Sequence, residues 1–381
     1  MQKSAQKSVV SDKIAILFLI HDLGQGGAEK VLVNLVNNMD KSKFDITVVS
    51  LFGGGVNEQF LASHIKYKVI FKKVFSGNSH VMKLFPNWLL HKWFVKEHYD
   101  IEIAYLEGPA VRIVSGCTDE NTKLVNWIHC TMHNPKEFAI GFRSVKEALD
   151  CNKRFLCTAF VSEEVKKAFE KYCDGINGRV LYNTNESDKI IKSATDSTEK
   201  GVFKQDEIKL ISVGKIEEVK GFDRLARIHK KLRDDNYPIH TYILGEGSKR
   251  NEITVYLEKE NLQDTFTFLG YQTNPYKYVA KCDLFVCSSF AEGFSTAATE
   301  ALIVGTPVCT VEVSGMKEML GENNEWGIVT ENSEDALYHG IKRLLDDPAL
   351  LSHYKEKAAE RGRSFSTENT VKAVEEMLLG L

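Results

Sequence analysis

The sequence predicts an α/β protein built as two parallel-sheet domains facing a central cleft. Short continuous apolar runs recur along the chain, as strands buried on both faces would. Helical runs alternate with them, the pattern of a parallel sheet with helical crossovers. A polar stretch, Asn185 to Glu207, separates two such series. At 381 residues the chain is long for one domain and comfortable for two.

In order, the first series reads as strands at Lys13–His21, Phe44–Phe52, Ile65–Phe71, Ile101–Gly108, Thr122–His129, Phe155–Val161 and Val180–Asn183. A glycine-rich turn at 24–29 follows the first strand and leads into a helix carrying Val31, Leu32, Leu35 and Val36. It is not GxGxxG, so a dinucleotide fingerprint is unsupported. The segment His80 to His98 mixes Trp88 and Trp93 with Lys83, Lys92 and Lys96. It reads as a helix opened by Pro86, with Leu89, Leu90, Trp93 and Phe94 packed inward or, alternatively, resting on a membrane surface. Ser162 is placed to cap a helix at Glu163–Tyr172.

The second series has strands at Ile208–Gly214, Ile239–Gly245, Thr265–Gly270, Asp283–Cys287, Pro307–Glu312 and Trp326–Val329. Helices end the chain at Ser333–Leu345, Leu350–Arg361 and Thr367–Leu379.

Composition excludes several classes. Hydrophobic content of 43% with 27% charge is ordinary for a soluble globular protein, and a net charge of −3 gives no case for nucleic acid. Eight cysteines without a CxxC pair suit buried reduced thiols. No run is long enough to span a bilayer, and MQKSAQKSVVSDK lacks the apolar core of a signal peptide. A cytoplasmic location is expected. His129 and His133 have a spacing that can bind a metal, but no third ligand is apparent and no metal site is expected.

Ligands of open parallel sheets bind outside the carboxyl ends of the strands. Those ends gather residues 22–29, 107–110 and 129–133 from the first series, and 214–221, 245–248, 288–296 and 312–317 from the second. His129, at one such end, has either a cleft role or a structural one. The most informative stretch is Cys287 to Pro307. It reads as a strand, a turn and a helix, with Glu292 in the turn and Glu300 inside the helix. Between them, the free backbone N–H groups of Phe294, Ser295 and Thr296 lie at a helix N-terminus, where an anion is welcome. This suits a nucleotide-sugar; a solvated helix with incidental glutamates is the plainer alternative.

Taken together, Gly27-Ala-Glu-Lys30, Ser212-Val-Gly-Lys-x4-Lys-Gly221, Leu244-Gly-Glu-Gly247 and Glu292-Gly-Phe-x4-Thr-Glu-Ala301 with Gly305-x-Pro307 resemble the family 4 retaining glycosyltransferases of bacterial polysaccharide biosynthesis. The resemblance covers nearly the whole chain and is strongest from Ser212 to Glu318. It implies the GT-B fold, with a Rossmann-like acceptor domain (1–190), a linker (191–206) and a Rossmann-like donor domain (207–364). The segment 365–381 would be a helix that crosses back to the first domain.

The resemblance also implies roles. Glu292 would contact donor-sugar hydroxyls, Glu300 the ribose, and the amides around Gly293, Phe294, Ser295 and Thr296 the sugar and phosphates. Gly26 and Gly27 would touch the diphosphate from the first domain, and Gly214 lies in the matching turn of the second. Lys220 matches a phosphate-binding lysine, Lys215 stands where the family usually has arginine, and His129 falls near an active-site histidine. The implied reaction is retaining transfer from a nucleotide-sugar, expected to be a UDP-sugar, to a glycan or polyprenyl-linked acceptor, without metal or cofactor. The chain contains no Asp-x-Asp. Contact with an anionic membrane at the inner face of the cell membrane is a further expectation. A catalytically silent GT-B partner subunit, a nucleotide-sugar epimerase and a glycan phosphorylase are the alternatives.

Overall fold

The computed structural model describes residues 13–74, 78–204 and 206–381. The reading of the N-terminal stretch 1–12 lies outside the described residues. The first sheet has seven strands: β1 (Ile14–Ile20), β2 (Phe44–Phe52), β3 (Lys66–Phe71), β4 (Ile101–Ala104), β5 (Lys123–Ile128), β6 (Cys157–Phe160) and β7 (Gly178–Val180). Their order is β3-β2-β1-β4-β5-β6-β7, and every pairing is parallel. The second sheet has six: β8 (Ile208–Val213), β9 (Ile239–Leu244), β10 (Phe266–Gly270), β11 (Leu284–Cys287), β12 (Val308–Val311) and β13 (Ile328–Thr330). Its order is β10-β9-β8-β11-β12-β13, again all parallel. Two Rossmann-like α/β domains therefore stand as expected.

The apolar runs form central strands because helices cover both faces. Ile16 to Ile20 of β1 and Leu284 and Val286 of β11 have no solvent exposure. In each sheet the strand order reverses once, between β1 and β4 and between β8 and β11. A crevice opens at such a reversal, because successive crossovers leave to opposite faces. The chain's unusual turns leave the carboxyl ends of these four strands.

Several elements differ from the sequence reading. β4 stops at Ala104, and Gly108, at a positive φ of 84°, turns the chain into a helix begun by Pro109. β7 ends at Val180, where the strand had been expected to start. The aromatic, basic segment forms two helices, Asn78–Lys83 and Asn87–Phe94, with Pro86 just before the second. Leu90 and Phe94 pack inward, but Trp93 is 44% exposed rather than buried, and Trp88 is 51% exposed. The segment expected as linker, 191–206, begins inside a helix, Ser187–Ala194, which buries Ile190 and packs on the second domain's helices Tyr276–Val279 and Thr296–Ile303. The final helix, Thr367–Leu379, lies against the first domain. Glu375 accepts from the Asp40 N–H at 2.6 Å and pairs with Lys43 at 3.3 Å.

Among the described residues, no helix is long and apolar enough to cross a membrane. Seven of the eight cysteines are buried and all are free; Cys130 alone is exposed.

Candidate active site between the two domains

In the second domain, the turns after β8 and β11 are locked together before any side chain reaches the cleft. Gly221 adopts a left-handed φ of 62°, and a Cβ there would lie 2.2 Å from the Ser288 carbonyl oxygen. Only glycine permits that approach. The buried Arg224 donates to the carbonyls of Ser288 and Ser289, the latter at 3.0 Å. The Phe290 N–H donates to Val219 O at 2.7 Å.

This frame brings Lys220 to Glu292. The ammonium donates to Glu292 Oε1 at 2.7 Å, and Ser289 Oγ donates to the same oxygen at 2.6 Å. Burial works to lower the lysine pKa, but the Glu292 carboxylate outweighs it and holds the ammonium charged. Lys215 goes elsewhere. Its side chain is 63% exposed and stands 3.8 Å from Glu217.

Three residues beyond Gly293, itself beside Glu292, the helix Thr296–Ile303 begins. Its N-cap, Ser295, accepts from the Ala298 N–H at 3.4 Å. Phe294 is buried and stacks on Tyr182 of the first domain, with centroids 5.0 Å apart. Glu300, on the fifth residue of the helix, is 7% exposed.

The first domain meets this surface closely. A Cβ at Gly293 would lie 1.8 Å from the His129 carbonyl oxygen, so glycine lets the two backbones touch across the cleft. A Cβ at Gly27 would lie 3.2 Å from Thr296 Oγ1. The helices Gly27–Asn38 and Thr296–Ile303 thus turn their N-terminal, electropositive ends toward one shared space, suited to an anion. The Glu29 carboxylate presently folds back against Gly26, since a Cβ there would lie 1.9 Å from Glu29 Oε2, and burial raises its pKa.

His129, at the end of β5, is buried beneath the contact. Its ring lies 4.7 Å from that of Tyr105, and its Nε2 has no protein hydrogen-bond partner. Burial lowers its pKa to about 3, so the ring is neutral at physiological pH. His133 is exposed, so the two histidines do not share an environment. Among the described residues, the one cluster with metal-ligand chemistry is His91, Glu102 and Cys117, away from both. There His91 Nε2 meets Glu102 Oε2 at 2.8 Å as a buried ion pair.

Three participants escaped the residue-by-residue reading. Glu107 Oε1 accepts the backbone N–H groups of His129 at 2.5 Å and Cys130 at 2.7 Å, fixing the loop that touches Gly293. Its signal was its place just beyond a strand end. The carboxylates of Glu107 first, then Glu292 and Glu29, push the Cys130 thiol up to about 12. Lys30 crosses the cleft to Glu300 at 2.5 Å and to Tyr276 OH at 2.9 Å. Its motif was visible but its role was not, and Tyr276 carried no signal.

Comparison with known proteins fits this geometry. The model of the family described as Glycosyl transferases group 1 matches residues 193–361. An uncharacterised glycosyltransferase of Methanocaldococcus jannaschii is 30% identical over 292 residues, covering 66% of this chain and 70% of that protein. The chain is a group 1 glycosyltransferase. The transferase is also 26% identical over 370 residues to a Campylobacter jejuni enzyme, across 95% of this chain and 98% of that one. That enzyme is named as an N-acetylgalactosamine-N,N'-diacetylbacillosaminyl-diphospho-undecaprenol 4-alpha-N-acetylgalactosaminyltransferase. Anabaena HepE, crystallised with UDP and glucose, shares the GT-B fold at a TM-score of 0.77 and 18% identity, over 97% of this chain and 100% of that one.

Proposed function

We propose that the transferase moves a sugar, with retention at the anomeric carbon, from a UDP-sugar to a polyprenyl-linked glycan during cell-surface polysaccharide assembly. The observation that carries this reading is the pairing of two helix N-termini across the cleft with Lys220, Glu292 and Glu300 beside them. The name of the Campylobacter relative and the UDP and glucose bound to HepE support it.

In this reading the diphosphate lies between Gly26–Gly27 and the amides of Gly293 to Thr296. Lys220 exchanges part of its contact with Glu292 for a phosphate oxygen, and Glu292 turns to donor-sugar hydroxyls. Glu300 accepts from the ribose. As the sugar–phosphate bond breaks, charge grows on the leaving diphosphate, and prearranged amides and ammonium groups stabilise it. The neutral His129 offers Nε2 as a hydrogen-bond partner at the sugar, and domain contact aligns the acceptor and sheds water. Lys220 at the phosphate position and the lack of Asp-x-Asp support metal-independent transfer.

The deciding experiment incubates the transferase with single UDP-sugars and a bacterial lipid extract. UDP release that requires the extract is expected, and it should persist in EDTA. Release without acceptor would make the protein a donor hydrolase and defeat the reading; no release with any donor defeats it too and favours a silent subunit.

The lipid-linked acceptor also gives a role to the face around Asn87–Phe94. Leu84 is 76% exposed beside the outward Trp88 and Trp93, and Lys92 and Lys96 are exposed nearby. Indoles and cations together suit an anionic membrane surface. Changing Lys83, Lys92 and Lys96 to glutamate should reduce cosedimentation with phosphatidylglycerol vesicles while leaving Tm unchanged. Equal sedimentation would mean the face does not bind lipid.

A further inference from the structure

Lys30 belongs to the first domain, yet its charge is used in the second. It stands one turn into the helix Gly27–Asn38 and donates to Glu300 Oε1 at 2.5 Å and to Tyr276 OH at 2.9 Å. Tyr276 OH also reaches Glu300 Oε1, at 3.3 Å, and the Lys30 ammonium lies 5.3 Å from the Tyr276 ring centre. These contacts fall on a single oxygen of Glu300 and leave Oε2 outside them.

Glu300 is nearly buried, and a buried carboxylate beside a diphosphate site faces two penalties. It has lost hydration, and it repels the ligand's charge. An ammonium at hydrogen-bond distance answers both. Burial disfavours the charged lysine, but Glu300 and Tyr276 more than offset this and keep its pKa above that of ordinary lysine.

We propose that Lys30 is a positioning residue for the donor nucleoside: it fixes Glu300 through Oε1, leaves Oε2 to a ribose hydroxyl, and thereby makes one domain complete the other's nucleotide site. The inference rests on Glu300 as the ribose acceptor. Nucleotide binding and domain contact are then coupled, because opening the cleft removes Lys30 and leaves Glu300 charged, desolvated and free to rotate. A lysine that only closes the cleft would affect domain spacing without a preference for the nucleoside.

The test is a double-mutant cycle on the full-length transferase, with UDP affinity measured by calorimetry and donor kinetics measured alongside. Lys30→Met should weaken UDP binding about tenfold, on the scale of a charge-assisted hydrogen bond. The donor KM should rise in parallel while kcat changes less than about threefold. Lys30→Arg should recover most of the affinity, and Lys30→Met should add little on a Glu300→Ala background. Thermal melting of each variant checks folding, and Lys30→Gln, which also removes the charge beside Glu300, carries the test with the same expected outcomes if Lys30→Met is unstable. Weakened binding in Glu300→Ala with none in Lys30→Met overturns the Lys30 proposal and leaves the ribose reading standing. Unchanged binding in Glu300→Ala removes the ribose reading and this inference together. Tighter UDP binding in Lys30→Met would make Lys30 a competitor of the ribose and also overturn the proposal.

Discussion

The two domains present different kinds of edge to the cleft. The second offers a compact set, in which one strand, one turn and one helix carry Glu292, the helix amides and Glu300, and an adjoining turn adds Lys220. The first offers scattered groups from three strand ends: Gly26 to Lys30 after β1, Glu107 after β4 and His129 after β5. It acts through backbone contacts, the stack of Tyr182 on Phe294, the Tyr182 hydroxyl on Glu318 and the bridging Lys30. The compact edge holds charge in a fixed frame, as leaving-group stabilisation requires. The dispersed edge can engage and release with domain motion, since few of its contacts are built on one element.

The largest effect should come from breaking the compact edge. Lys220→Ala should lower turnover about a hundredfold or more, because it removes the ammonium from developing charge. Glu292→Gln should depress turnover more than nucleotide affinity, and Glu300→Ala should weaken nucleotide binding by roughly 1.5–3 kcal/mol. Steady-state kinetics and UDP titration separate these outcomes. Full activity in Lys220→Ala and Glu292→Gln would mean that the charged frame is not where catalysis occurs.

Two glycines sharpen the comparison. A Cβ at Gly221 would strike Ser288 O within one domain, whereas a Cβ at Gly293 would strike His129 O of the other. Gly221→Ala also sits at positive φ, so it should lower folding stability by more than about 1 kcal/mol. Gly293→Ala can relieve its clash by opening the cleft. It should spare Tm, enlarge the radius of gyration in X-ray scattering, and lower activity about tenfold to a hundredfold through misplacement. A normal radius of gyration with a large fall in Tm would show that the contact is part of the folding core.

Where the domains are alike, they should respond alike. His129 and His229 are each buried with pKa values lowered to about 3, burial being the main cause. Between about pH 3 and 6.5 the unfolded chain binds protons at these sites and the folded chain does not, so stability falls on acidification. At pH 5.5 each histidine should account for about 1.4 kcal/mol of the loss. Urea unfolding of His129→Gln and His229→Gln at pH 7.5 and 5.5 measures it. An undiminished acid loss in either variant would mean that histidine is protonated in the folded state. His91 should act oppositely. Burial opposes its charge, but Cys117 and Glu102 hold its pKa up to about 9, so its contribution is lost as pH rises through that value.

The contrast between the edges also explains what the sequence could reveal. The sheets were legible because strands covered on both faces must be continuous apolar runs, and β1 and β11 are. The second domain's edge was legible because Glu292 and Glu300 share a local frame whose spacing survives in one dimension. Lys30 was not, since Tyr276 and Glu300 lie 246 and 270 residues away and only the fold selects them. Ser187–Ala194 was hidden because its polar faces dominate the composition, while Ile190 anchors it. Trp93 pointed outward against expectation because Leu90 and Phe94 already fill the helix's inner face.

The smallest effect is expected at Lys215, which the resemblance placed where the family usually has arginine. A paired role requires both ammonium groups to reach the leaving diphosphate. Lys220 is held beside Glu292 by the locked turns, but Lys215 is 63% exposed and stands 3.8 Å from Glu217. An exposed ion pair of that length is worth little, so leaving Glu217 would cost the lysine less than about 1 kcal/mol. Reaching inward is therefore permitted, but the flexible stem must be ordered at each turnover, unlike the prearranged Lys220. Lys215→Ala should lower turnover only severalfold, well below Lys220→Ala, and the loss should shrink in high salt, as for an exposed charge acting at a distance. Lys215→Arg should match or exceed the parent, because a planar fork can meet two phosphate oxygens together. A hundredfold loss in Lys215→Ala that salt does not diminish would instead place this lysine on the leaving group in the closed state, and both lysines would then belong to the compact edge.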